Sequence, residues 1–300
     1  MDGLLIIDKP DGITSHDVVA RARRILKTKR VGHTGTLDPF ATGVMVLLIG
    51  QATRLAQFLD KDEKEYEAMI QFGSETDTGD KTGRAITEGG SRKELESKVA
   101  LLDWESVFSK FRGESLQIPP MYSAKKVEGK KLYELAREGK EIERNAVPIT
   151  ISKLELADES GPQISGSAVR VRVACSAGTY IRTLAVDIGR AVGLGAHLTE
   201  LRRIRAGRFG ISDALTLTGL ENGPDNTARL IPMSEAAAHL PSVIFNADRT
   251  EKTRNGLPSR TAASFGHGEA IRIIGDCGDL IAIGRYNAAE KIVQPKVVFG

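Results

Sequence analysis

Cysteine and long hydrophobic runs are both scarce in this sequence of 300 residues. The two cysteines, Cys175 and Cys277, lie far apart and fit neither a metal site nor a disulfide framework, so we expect both to be buried as small apolar side chains. The longest uncharged apolar run, residues 43–50, is far shorter than the about 20 residues that cross a bilayer. The N-terminus carries acids in place of the basic segment of a secretory signal. Disulfide-rich and membrane-spanning classes are therefore excluded, and we expect a soluble, cytoplasmic protein.

The net charge is also small. The chain has 42 Lys and Arg against 39 Asp and Glu, a formal charge of +3, which does not by itself indicate a nucleic-acid binder. The distribution of the charges is more informative, because the basic residues concentrate in three groups. Residues 21–30 hold six of them and no acid. The second group is Arg202, Arg203, Arg205 and Arg208, and the third is Lys125, Lys126, Lys130 and Lys131. Such runs are often only solvated helix faces. Three of them flanking the motifs described below favour contacts with nucleic-acid phosphates.

The hydrophobic pattern mixes strands and helices without regular βαβ alternation. It predicts strands over residues 3–7, 43–49, 64–72, 149–156, 168–175 and 198–204, and an extended edge segment over residues 118–124. It predicts helices from a Ser15 N-cap onward and over residues 51–59, 91–112, 130–138 and 180–191. This mixture indicates an α+β fold with a mixed, largely antiparallel sheet.

The composition shifts near residues 221–227, where Gly223, Pro224, Asp225 and Asn226 predict a connector. Beyond Pro241, short apolar runs at 270–274, 280–283 and 292–298 alternate with glycine turns and predict a small β-rich domain of about 60 residues. We therefore place a large domain at residues 1–238 and a small one at residues 239–300.

Asp38 stands out as a candidate catalytic residue. Pro39 restricts its backbone to extended conformations, and the apolar run that follows anchors the loop on a buried strand. Glycines at 32, 35 and 43 allow sharp turns and a close approach by a planar ligand. By itself an Asp-Pro step beside glycines is also typical of a solvated turn, so both interpretations stay open on these residues alone.

The motif around Asp38, GHTGTLDPFATGVM, resembles the catalytic motif of the TruB family of bacterial tRNA pseudouridine synthases. Four further segments resemble family motifs in the same order: KPDGITSHDVV, KEYEAMIQFGSETDTGDKTG, PPMYSAKKVEGKKLYELAREG and CSAGTYIRTLAVDIG. Together they span most of residues 3–210. The resemblance implies a pseudouridine synthase core followed by a C-terminal PUA-like RNA-binding domain, and it implies that no cofactor and no metal is needed.

The resemblance also implies roles for individual residues. Asp38 matches the family's catalytic aspartate, Arg182 the arginine that pairs with it, and Tyr66 the tyrosine that stacks on the target base. His33 matches the histidine that inserts into the RNA loop, and Leu201 the leucine that packs under the base. We assign Thr36, Lys9, Arg202 and Arg203 to the substrate-binding set, with Lys9 and Pro10 supporting the catalytic loop. For Tyr66, Leu201 and Arg182, a core or exposed structural position remains the alternative.

The implied activity is isomerisation of uridine 55 in the TΨC arm of tRNA to pseudouridine, after the base is flipped out. The sequence does not decide whether Asp38 acts as a nucleophile or as a base. We expect tRNA as the partner, no membrane, no obligatory protein partner and a monomer. Two alternatives stay open: an RNA-binding or tRNA-folding protein without turnover, and a base-excising hydrolase. The acids of the GSETDTGDKTG segment, Glu75, Asp77 and Asp80, do not complete a calcium loop, and the resemblance makes this a structural loop below the cleft.

Overall fold

A computed structural model describes residues 1–59, 61–87, 89–123, 125–127, 129–140, 142–157, 163–223 and 229–300. Its strands are β1 Gly3–Lys9, β2 Val31–Thr34, β3 Thr42–Ile49, β4 Lys64–Phe72, β5 Gly113–Gln117, β6 Lys126–Val127, β7 Lys130–Lys131, β8 Val147–Leu156, β9 Ile164–Ser165, β10 Ala168–Cys175, β11 Ala196–Ala206, β12 Phe209–Gly210, β13 Leu215–Thr216, β14 Ser242–Ile244, β15 Ser259–Arg260, β16 Ala270–Ile274, β17 Leu280–Asn287 and β18 Ile292–Val298. Its helices are α1 Ser15–Ile25, α2 Ala56–Leu59, α3 Arg92–Ala100, α4 Trp104–Ser109, α5 Leu132–Arg137, α6 Ile181–Ala191, α7 Leu217–Glu221, α8 Met233–Ala236 and α9 Ala247–Arg254, with 3₁₀ turns at Gly50–Leu55 and Ile211–Asp213. The α+β prediction is confirmed.

The large sheet has the strand order β13-β1-β3-β11-β4-β10-β8-β5. Most neighbours are antiparallel, whereas β11 runs parallel to β3 and β13 runs parallel to β1. The central strand β11 therefore pairs on one side with the strand that follows the Asp38 loop and on the other with β4. Arg203 lies opposite Gly43 on β3 and opposite Tyr66 on β4. A Cβ atom at Gly43, whose φ is +101°, would lie 2.1 Å from the Arg203 carbonyl oxygen, so this close pairing requires glycine.

Alternation along β4 decides which side chains enter the core. Lys64, Tyr66, Ala68, Ile70 and Phe72 are buried, and the residues between them are only half-buried. The buried face joins a hydrophobic cluster with β8, β10, α4 and α6. This packing fixes α6, which carries Arg182, over the face of the sheet that holds Tyr66.

The C-terminal strands form a second sheet, in the order β14-β16-β17-β18-β15. One hydrophobic cluster joins the two sheets: Leu4, Val44 and Phe209 of the large sheet pack together with Ile283 and Phe299 of the C-terminal segment. The predicted boundary between residues 238 and 239 stays a prediction, and residues 224–226 of the predicted connector lie outside the described residues.

The predicted start of helix α1 is wrong by one residue. Thr14 is the N-cap: its hydroxyl accepts a hydrogen bond from the Asp17 backbone N–H at 3.1 Å, and the Asp17 carboxylate accepts one from the Thr14 N–H at 2.8 Å. Ser15 instead points into the fold, where its hydroxyl bonds the backbone N–H and C=O of Leu37. It thereby ties α1 to the loop that carries Asp38.

Three other expectations need correction. Residues 91–112 form two helices, because Asp103 caps a new helix by accepting from the Ser106 N–H at 3.2 Å. The edge strand is Gly113–Gln117, and the described residues of the 118–124 segment are irregular. Cys175 is buried as expected, but Cys277 is exposed in the turn between β16 and β17. No helix in the described ranges is both long and apolar enough to cross a membrane.

Candidate active site

Asp38 lies on the loop between β2 and β3, facing the first turn of α6. Arg182 contacts its carboxylate twice: Nε lies 2.9 Å from Oδ2 in an ion pair, and Nη2 donates a hydrogen bond to Oδ1 at 3.2 Å. The Arg182 side chain is only 4% exposed, while that of Asp38 is 35% exposed. The guanidinium is therefore a fixed buried support, and the carboxylate is the partner that a ligand can reach.

The remaining donors of Arg182 are also occupied. Nη1 donates to the Thr78 carbonyl at 2.8 Å and Nη2 to the Tyr122 carbonyl at 2.7 Å, and the buried Asp80 lies 3.6 Å from Nη1. Asp80 is held in turn by hydrogen bonds from the Thr78 hydroxyl at 2.9 Å and from the Thr82 N–H at 2.9 Å. Sequence reasoning missed Asp80, since one more acid in a polar loop gives no signal of which cation it faces.

Lys9 lies below the loop and is fully buried. Its Nζ donates to three backbone carbonyls, those of Pro10 at 2.8 Å, Pro39 at 3.0 Å and Ala41 at 2.7 Å. Burial lowers the pKa of Lys9 to about 8, although Asp11 and Asp38 oppose that shift. These contacts give Lys9 a supporting position at the base of the Asp38 loop.

A cavity of about 260 Å³ opens beside Asp38. Tyr66, Leu201 and Arg203 line it from the central strands, together with Thr36 from the loop and Arg182 from α6. The volume is close to the lower end of the about 300–1,000 Å³ typical of small-molecule sites, which suits one nucleoside-sized group. The structure thus brings together five of the predicted site residues around the carboxylate of Asp38.

A second cavity of about 780 Å³ adjoins the first and shares Asp38, Thr36 and Arg182 with it. His33 lines this larger space, together with residues from the start of α1. The His33 Nδ1 atom is buried without a hydrogen-bond partner. Burial lowers the pKa of His33, and Arg203 lowers it further, so the imidazole is neutral at pH 7.

Burial and charge act in opposite directions on the two candidate reactive groups. Burial raises the pKa of Asp38, Arg182 lowers it, and Asp80 raises it again. Burial also raises the pKa of Tyr66, and Arg203 opposes that rise. Tyr66 therefore keeps its proton at neutral pH.

The three basic stretches differ in ion pairing and burial in the folded protein. Arg202 pairs with Asp8 at 2.8 Å, Arg205 with Glu63 at 2.7 Å and Arg208 with Glu235 at 3.0 Å, whereas Arg203 is buried inside the sheet. Arg202 lines neither cavity described above. Within residues 21–30, four exposed cations have side chains with neither an ion pair nor a hydrogen bond to any other described residue, and we call them the α1 patch: Arg21, Lys27, Lys29 and Arg30. Of the third stretch, the side chains of Lys126 and Lys131 lie outside the described part of the structure.

No group of His, Cys, Asp and Glu side chains in the described ranges has the arrangement of a metal site. The groups at the site that can take part in chemistry include Asp38, Arg182 and Tyr66. A reachable carboxylate on a fixed guanidinium, beside a cavity lined by Tyr66 and Leu201, can act on a sugar while a planar base occupies the cavity.

Comparisons with known proteins agree with this geometry. Residues 23–181 match the TruB family pseudouridylate synthase N-terminal domain, and residues 182–233 match the tRNA pseudouridylate synthase B C-terminal domain. Three proteins named tRNA pseudouridine synthase B are similar over most of the chain. The one from Solibacter usitatus is 42% identical, covering 99% of this chain and 100% of its own. The one from Geobacillus kaustophilus is 46% identical, covering 88% and 92%, and that from Bacillus subtilis is 38% identical, covering 99% and 97%.

Among solved structures, a Cbf5-Nop10-Gar1 complex contains a chain that matches with a TM-score of 0.72 at 28% identity, covering 99% of this chain and 85% of the other. An H/ACA RNP bound to a substrate RNA containing 2'-deoxyuridine matches with a TM-score of 0.70 at 26% identity, with coverage of 99% and 85%. Family models, full-length relatives and fold agree, and the chain belongs to the TruB family of pseudouridine synthases.

Proposed function

We propose that this protein converts uridine 55 in the TΨC loop of tRNA to pseudouridine. The observation that carries the proposal is the Asp38 carboxylate, held in two contacts by the buried Arg182 at the mouth of a nucleoside-sized cavity lined by Tyr66. The relatives named tRNA pseudouridine synthase B support tRNA as the substrate. The assignment of the target to position 55 in the T loop rests on the sequence resemblance.

The reaction is an isomerisation that needs no redox partner. The bond between sugar C1′ and base N1 breaks, the uracil turns, and a bond forms between C5 and C1′. C5 then loses its proton and N1 gains one, so the composition is unchanged. Asp38 acts at the ribose, either by attacking C1′ or by taking a sugar proton, and both routes start from the ionised carboxylate. Arg182 lowers the pKa of that carboxylate, and so opposes the rise that burial causes, and its contacts fix the direction of the carboxylate.

The smaller cavity receives the flipped uracil. Tyr66 stacks on the base, a contact worth about 1–3 kcal/mol for an aromatic side chain, and Leu201 packs against it. His33 lines the adjoining larger cavity and takes the place of the extruded nucleotide in the RNA loop. Its imidazole is neutral, and its Nδ1 atom has no hydrogen-bond partner in the described structure.

The RNA backbone contacts lie on the α1 patch rather than on residues 202–208. Helix α1 begins at the larger cavity, where Thr14 and His16 line the wall, and β2 leads from residue 31 to His33 in the same wall. The α1 patch therefore continues outward from the cavity that holds the RNA loop. Its four cations form no ion pair with the part of the chain that the structure describes, so they can neutralise phosphates without breaking an ion pair seen there.

We further propose that the protein acts as a monomer in the cytoplasm without an obligatory protein partner, an expectation that rests on the sequence.

The test follows tritium release from tRNA transcribed with 5-tritiated uridine, with nucleoside analysis of the product. Release of tritium with one pseudouridine in the T loop supports the proposal. Free uracil in the supernatant would instead identify a hydrolase, and tight tRNA binding without release would identify an RNA-binding protein.

A further inference from the structure

Arg203 is a charged side chain in the middle of the large sheet. It is 1% exposed, and it forms no ion pair within 4 Å with any described carboxylate. Its neighbours along β11 behave differently, since Arg202 and Arg205 are half-buried and paired with acids. A buried cation without a carboxylate partner is costly, so its retention calls for a specific set of contacts.

Those contacts are with the two ends of the segment that carries Asp38. Arg203 Nε donates to the Val44 carbonyl at 2.6 Å, and Nη2 donates to the Gly35 carbonyl at 3.1 Å. Gly35 precedes the Asp38 loop and Val44 follows it. One rigid guanidinium therefore fixes the separation of the two points from which the loop extends.

The same side chain reaches the second reactive group. Arg203 is the register partner of Tyr66 across the β11–β4 pair, and both residues line the cavity beside Asp38. The charge of Arg203 also acts on the Tyr66 hydroxyl, because it opposes the rise in pKa that burial causes there.

We propose that Arg203 is a positioning residue that holds the Asp38 loop and Tyr66 in a fixed relation, and that it does not contact RNA phosphates. The inference rests on the proposed function. Positioning residues act mainly on turnover, because a displacement of about 1 Å of a reacting group can cost about 10²-fold in rate. A phosphate contact acts on binding and on its dependence on salt.

The experiment compares Arg203→Lys and Arg203→Gln with the wild-type protein. Lysine keeps the charge but cannot bridge Gly35 and Val44 with a planar fork, and glutamine keeps a donor without the charge. We expect kcat on unmodified tRNA to fall about 10–100-fold in both variants, with KM and the Kd for tRNA within about threefold. The slope of log Kd against log salt should not change.

Arg205→Lys is the matched control, because it makes the same substitution on the same strand at a half-exposed, ion-paired site. It should leave kcat unchanged. Coupling is tested by placing Arg203→Lys in a Tyr66→Phe background, where we expect the loss in kcat to be smaller than in the wild-type background.

Each other outcome overturns the inference. A salt slope that falls by about 0.7–0.9 would mean that Arg203 neutralises a phosphate. An unchanged kcat with a lowered melting temperature would make it a purely structural residue, as would failure of both variants to fold. If the wild-type protein makes no pseudouridine, the proposed function itself fails. That failure is distinguished from a failure of the inference about Arg203, because it is observed with the wild-type protein alone.

Discussion

The Asp38→Asn substitution separates chemistry from binding most directly. The amide keeps the size of the carboxylate, and its oxygen can accept the hydrogen bond that Arg182 Nη2 donates to Oδ1. Arg182 also keeps its contacts with Asp80, Thr78 and Tyr122. We expect a stability change of no more than about 1 kcal/mol, which moves the melting temperature by about 2–4 °C in a domain of comparable size.

Turnover should fall much further. A carboxylate acting as a base contributes about 10²–10⁴-fold, and a nucleophile contributes more, whereas an amide serves neither purpose. We expect kcat to fall by at least about 10³-fold. The Kd for tRNA should stay within about tenfold, or 1.4 kcal/mol, since removing a negative charge does not weaken the attraction for a polyanion.

Single-turnover tritium release measures the chemistry, and filter binding of the same tRNA measures affinity. Asp248→Asn is a suitable control, because Asp248 is 70% exposed on α9 and pairs only with Lys252 in the described structure. A variant at Asp38 that turns over at the wild-type rate would refute its assignment. Joint loss of binding, folding and turnover would show that the residue is structural.

Three further predictions concern protonation and salt. Because burial raises the pKa of Asp38, the fall in kcat/KM with decreasing pH should begin at a pH above the ordinary carboxyl range. Asp80→Asn removes a negative charge that raises the pKa of Asp38, so it should move this fall to lower pH. A shift to higher pH would contradict the charge effect of Asp80. Burial lowers the pKa of Lys9 to about 8 in the folded protein, so the unfolded chain binds more protons between pH 8 and 10.5 and the folded state becomes more stable as the pH rises through that range. Relative to Lys9→Gln, the free energy of unfolding of the wild type should therefore increase by up to about 3 kcal/mol from pH 8 to 10.5. Glutamine substitutions in the α1 patch should each lower the salt slope of tRNA binding by about 0.7–0.9, whereas Arg208→Gln should leave it unchanged.

Local patterns gave accurate predictions for several strands. Alternation over 64–72 and 168–175 placed β4 and β10 at their observed ends, because side chains with a period of two can be distinguished from the residues alone. Helix starts were less accurate. Thr14 and Ser15 are equally good caps by type, and only the fold shows that Ser15 is needed at Leu37.

The site depended on contacts that are distant in the chain. Arg182 and Asp38 meet through the packing of α6 against the sheet, and this pairing was expected only from the family resemblance. The run of arginines from 202 to 208 suggested a phosphate-binding face, since a cluster of charges gives no sign of acids on neighbouring strands. Three of the four pair with acids from other parts of the fold, Asp8 on β1, Glu65 on β4 and Glu235 on α8, and Arg203 is buried because β11 lies between β3 and β4.

The hydrophobic cluster shared by the two sheets also bears on how the chain folds during synthesis. Leu4 and Val44 share this cluster with Phe299, so apolar surface synthesised early, at Leu4, is completed only when Phe299 has been synthesised. At about 5–20 residues per second, roughly 15–60 s pass between the two events. During that interval the apolar face that β1 and β3 contribute to this cluster lacks the cover of the C-terminal residues.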